Sequence, residues 1–103
     1  MPSGPGGVPA APNRSEITAV VVQLEQSPAF ADKWLLQLEI RSSRSLEGPN
    51  FARVGPVADA FTVEPVAGLI PGKQVRAEAE YLGDARGGTF QLRNIEVLDA
   101  ESN

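Results

Sequence analysis

The clearest pattern in the chain runs from Lys33 to Arg41, where Trp34, Leu36, Leu38 and Ile40 alternate with Leu35, Gln37, Glu39 and Arg41. Alternation at period two marks a strand with one face on a core. A slip of one residue would bury Glu39 and Arg41, so the register is firmly specified. The same alternation returns from Gln74 to Leu82, with Val75, Ala77, Ala79 and Tyr81 on one face and Arg76, Glu78 and Glu80 on the other. Ser15 to Glu25 is rich in β-branched residues, and its nearly continuous apolar run fits a curling strand covered on both faces for part of its length. A shorter strand is predicted over Val57–Val63, with Val57, Phe61 and Val63 on one side. In Thr89–Leu98, Phe90 and Leu92 share a face while Ile95 and Val97 have the opposite parity, which a β-bulge near Arg93–Asn94 would repair.

Turn residues separate these five segments. Arg41 to Asn50 breaks the alternation with serines, Gly48 and Pro49, and is expected to be a long, mobile loop. Glu64 to Lys73 carries Pro71-Gly72 in the pattern of a type II turn, with room for at most about one helical turn between its prolines. Gly83 to Gly88 reads as a hairpin loop. Residues 1–13 are dominated by Pro, Gly and Ala without periodicity and are expected to be a flexible lead. The expected domain spans 14–98, followed by a tail over 99–103.

Five strands, a long second strand and a closing hairpin resemble the plan of the OB-fold superfamily, a five-stranded Greek-key barrel. The stretch Leu69 to Asp84 followed by Gly87 to Leu98 carries the likeness furthest. The resemblance implies an all-β OB-like barrel with little or no helix. Its usual helix between the third and fourth strands is missing, so Val66, Leu69 and Ile70 are expected to plug that end. An SH3-like barrel or a short sandwich would satisfy the same strand pattern. A fold of this kind does not dictate function.

Composition narrows the chemistry. With 103 residues the chain suits one domain, and it has neither Cys nor His. Disulfides, thiolate nucleophiles and imidazole bases are therefore absent, and no metal site or cofactor is expected. The formal charge of −4 is a poor start for neutralising phosphates, although Asp99 and Glu101 of the tail account for part of it. No stretch approaches the roughly 20 apolar residues of a membrane span. The opening residues lack the basic and apolar regions of a secretory signal, and a cytoplasmic location is the expectation.

Carboxylates such as Glu78 and Glu80 lie on a strand's outer face, where a solvated charged surface explains them better than acid–base work across a cleft. The glycines of Gly83–Gly88 join two strands and are turn residues, with no phosphate-loop context. Trp34, in phase with Leu36 and Leu38, reads as core. The most informative cluster surrounds the loop between the second and third strands: Arg41, Arg44 and Arg53 around Phe51, with Arg86 and Arg93 placed by the OB plan to join them. Basic groups interleaved with an aromatic suit single-stranded nucleic acid, since phosphates take the charge and bases stack. Few arginines and few aromatics are present, however, and the acidic balance favours protein. The expectation is a non-catalytic binding module for a protein partner or a second copy, with weak single-stranded nucleic-acid binding through the arginine and Phe51 loop as the alternative.

Overall fold

A computed structural model of the chain describes residues 12–64, 66–84 and 87–98. The expected lead through residue 11 and the tail over 99–103 lie outside the described residues, as does Arg86. Five strands form, β1 (Arg14–Gln26), β2 (Trp34–Glu47), β3 (Val57–Thr62), β4 (Gln74–Asp84) and β5 (Gly87–Leu98), with no helix among the described residues. They close into a barrel in the order β1-β2-β3-β5-β4, antiparallel throughout except for the parallel β3–β5 contact. The all-β five-stranded barrel expected from the sequence is what the chain forms, and its strand order is consistent with an OB-like plan.

The core comes from the alternating strands. Leu36, Leu38 and Ile40 of β2 and Val75, Ala77 and Ala79 of β4 point inward, against Ile17, Ala19 and Val21 of β1 and Leu92 of β5. Alanines recur because a five-stranded barrel has little interior volume and large residues from every strand would not fit together. The phase problem in β5 is solved by a bulge: Arg76 faces Glu96 and Glu78 faces Arg93, so Ala77 opposes both Asn94 and Ile95. Asn94 takes φ = 54°, a left-handed conformation that asparagine tolerates better than most residues. Ile95 and Val97 then pack against the core beside Phe90 and Leu92.

Four details depart from the sequence expectation. The segment Arg41–Glu47 is not a loop but the second half of β2, running antiparallel to Arg14–Thr18 of β1. What holds it is a backbone ladder, helped by the Thr18 and Ser42 hydroxyls at 2.6 Å, and neither requires apolar alternation. The strand ends at Gly48, at φ = 66°, where any β-carbon would run into the backbone carbonyl of Pro12. Ile70 does not plug the barrel: it is 52% exposed, while Leu69 is buried and Val66 packs on the core. Trp34 is half-buried at that same end and not enclosed. Asn13, assigned from sequence to the lead, is buried in the barrel wall, where its amide donates to the Tyr81 carbonyl (3.2 Å) and its side-chain oxygen accepts from the Tyr81 N–H (2.8 Å). A side-chain amide here completes the pairing of β4 as one more strand residue would.

Candidate functional site

Strand β3 determines where the site lies. Val57, Phe61 and Val63 share one side, as the parity predicts, but that side faces out: Ala58, Ala60 and Thr62 take the interior, and Val57 and Val63 are 54% and 46% exposed. The narrow barrel selects the small side chains inward, and the large ones are left on the surface. The register with β2 sets Leu35 opposite Phe61, Gln37 opposite Asp59 and Glu39 opposite Val57. Gln37 Nε2 donates to Asp59 Oδ1 at 3.4 Å. Since Leu36 and Leu38 are the inward residues, Leu35, Gln37 and Glu39 share the outer face with the β3 apolar row.

The connection from β1 to β2 closes one end of this face. Ser27 Oγ accepts from the Ala29 and Phe30 N–H groups, and the Ser27 N–H donates to the Lys33 carbonyl at 2.8 Å. This tight turn presents Phe30, 58% exposed, and sets the Lys33 ammonium 4.5 Å from the Phe61 ring centre and 5.6 Å from that of Phe30. Cation–π attraction at such distances holds the lysine between two rings. At the other end Thr89 Oγ1 donates to the Asp59 carbonyl at 3.1 Å. Between them lies a groove of about 550 Å³, walled by Gln23, Leu35, Gln37 and Phe61. Its charged walls are Lys33 against the carboxylates Glu25 and Asp59. The groove is therefore amphipathic and slightly acidic. The sequence signal for it was the pairing of bulky Val57, Phe61 and Val63 with small Ala58 and Ala60, whose meaning depends on which side is inward.

Among the described residues the arginine cluster expected from the sequence is divided between β2, β5 and the connection from β2 to β3. Arg41 continues the outer row of β2 and pairs with Glu39 at 3.3 Å. Arg44 lies across from Glu16 of β1 and binds it at 2.6 Å. Arg53 is exposed in the connection to β3. Arg93, on β5 opposite Glu78, borders a second groove of about 440 Å³ with Glu47 and Glu80. Phe51 stacks on Tyr81, with ring centres 5.1 Å apart, and Tyr81 meets Phe90 edge-on at 5.2 Å. That ladder leaves Phe51 partly exposed but committed to an internal partner. Two of the arginines thus already have carboxylate partners, and the cation count in the sequence overstates the free positive charge.

The Arg44 hydrogen bond, aided by its charge, holds the Glu16 carboxyl below its ordinary value. A depressed carboxylate pKa stabilises the fold above the unfolded-state pKa, and this contribution is lost as pH falls through the folded-state value. In Arg44→Ala the Glu16 midpoint, followed by NMR of its carboxyl carbon, should rise toward that of a free glutamate. An unmoved midpoint would contradict the pairing.

Among the described residues, no group of three or more acidic side chains could hold a metal ion, and no helix is long and apolar enough to cross a membrane. No protein-family model and no curated protein matches the chain. Among solved structures it is similar to the protein PriB from Ralstonia solanacearum, with a TM-score of 0.51 and 13% identity over 86% of this chain and 100% of that one. At that identity the likeness is one of fold.

Proposed function

We propose that the chain is a non-catalytic OB-like binding module that takes a protein partner, or a second copy of itself, across the outer face of β2 and β3. The observation that carries this reading is the outward turn of Val57, Phe61 and Val63 beside Leu35 and Phe30. Large apolar side chains grouped on a surface, rimmed by polar ones, mark an interaction site more often than a solvated face. OB barrels bind on this face, between the loops that follow β1 and β4. The electrostatics favour protein over nucleic acid: Glu25 and Asp59 outnumber Lys33, and a phosphate chain laid here would meet net repulsion.

The alternative is single-stranded nucleic acid. Phe30 and Phe61 flanking Lys33 favour it locally, since rings and a cation are what base stacking and phosphate contact use. In that reading Arg41, further along β2, and Arg53 supply further charge.

Short peptides displayed on phage, selected on the wild-type protein and counter-selected on Phe61→Ser, test the preferred reading. Enrichment of sequences that need Phe61 is expected. Failure to enrich any Phe61-dependent peptide would overturn it.

A further inference from the structure

The end of the barrel where β3 passes to β4 holds a second cleft, separate from the groove above. Its walls are Leu24 of β1, Trp34 of β2, and Glu64, Val66 and Leu69 of the connecting segment, and it is an open cleft of about 180 Å³. Leu24 and Trp34 alternate with Glu25 and Leu35 along the β1–β2 hairpin, so this cleft and the β2–β3 groove use opposite faces of the same two strands. The volume lies below the roughly 300–1,000 Å³ of small-molecule sites, which suits a single side chain.

The composition of the walls selects which side chain. Three are aliphatic, one is an indole, and the only charge is the Glu64 carboxylate. That carboxylate is held in place: Oε1 accepts the Asn94 N–H at 3.0 Å, from the bulge that the left-handed Asn94 creates. Oε2 has no hydrogen-bond partner among the described residues. Glu64 is solvent-exposed at the cleft, so an occupant that carries a donor gains a charge-assisted hydrogen bond that a purely apolar one does not. A side chain with a methylene stem and a planar cationic head meets both the apolar walls and the carboxylate. The stem lies on Leu24, Val66 and Leu69, the head meets Glu64, and Trp34 supplies π surface, for which guanidinium is better matched than ammonium.

We infer that this cleft binds one arginine side chain of a partner protein. Trp34 is the single tryptophan of the chain, so its emission reports the cleft directly. Titration with the capped peptide acetyl-Gly-Arg-Gly-amide should give a saturable change in Trp34 fluorescence. The citrulline peptide, equal in shape but uncharged, should give none. In Glu64→Gln, which keeps an acceptor for the Asn94 N–H and so keeps the fold, the arginine peptide should bind about tenfold more weakly, the usual worth of a charge-assisted hydrogen bond. No saturable response, an equal response to citrulline, or undiminished binding by Glu64→Gln would overturn the assignment. Because the groove does not take part, none of these outcomes bears on the β2–β3 reading.

Discussion

Replacing Leu38 by alanine is expected to lower the free energy of unfolding by roughly 2–4 kcal/mol, whereas Gln37→Ala one position earlier should change it by less than about 0.5 kcal/mol. Leu38 is 1% exposed and lies among the largest fully enclosed side chains, with Ile17, Ile40 and Leu92. Closed strands on every side leave the barrel little freedom to collapse into the vacated space, which puts the cost toward the upper part of that range. Gln37 makes one long bond to Asp59 on the surface. Urea titration reads both, as a shift of midpoint at unchanged slope for Leu38→Ala. Equal effects at the two positions would refute the register of β2.

The second large effect is expected at Thr62, where β3 leaves the barrel wall. Among the described residues the β3–β5 seam has only the pairs Ala60 with Phe90 and Phe61 with Gln91. Beyond them the fully buried Thr62 hydroxyl replaces the ladder, donating to the Leu92 carbonyl at 3.2 Å and accepting the Glu64 N–H at 3.1 Å. Valine has the same shape without the hydroxyl, so Thr62→Val removes both of these hydrogen bonds. A loss of about 1–3 kcal/mol is expected, the cost of a buried polar group left unsatisfied. Thr62→Ser, which keeps the hydroxyl, should lose less. If Thr62→Val were as stable as the wild type, the side chain would not be closing the seam.

These two sites differ in how far the sequence reveals them. Leu38 is visible in the alternation of β2, because a strand buried on one face writes its burial into its side chains. Thr62 is not, since a hydroxyl that completes a backbone ladder has no periodic signature. The same distinction explains Ser42–Glu47, whose strand character comes from pairing with β1 while its side chains are polar apart from the exposed Leu46. Parity in β3 separates Val57, Phe61 and Val63 from Ala58 and Ala60, but only the limited volume inside the barrel decides that the larger set faces out. The bulge at Asn94 was legible because Ile95 and Val97 had to regain the core. For the site, Phe30, Lys33 and Phe61 come together only through the β2–β3 register and the turn at Ser27. Of the arginine pairs, Arg41 with Glu39 follows from their spacing of two on the outer face of β2, whereas Arg44 with Glu16 depends on the register between β1 and β2.

Whether the β2–β3 face serves protein or nucleic acid is tested most directly by fluorescence anisotropy with a labelled single-stranded oligonucleotide at about 50 and 200 mM salt. With Glu25 and Asp59 beside Lys33, and Arg41 and Arg44 already paired, the expected result is no saturable binding at either salt. A dissociation constant at or below about 1 μM that weakens steeply as salt rises, and that Phe61→Ser abolishes, would contradict the protein-binding reading and assign the groove to nucleic acid.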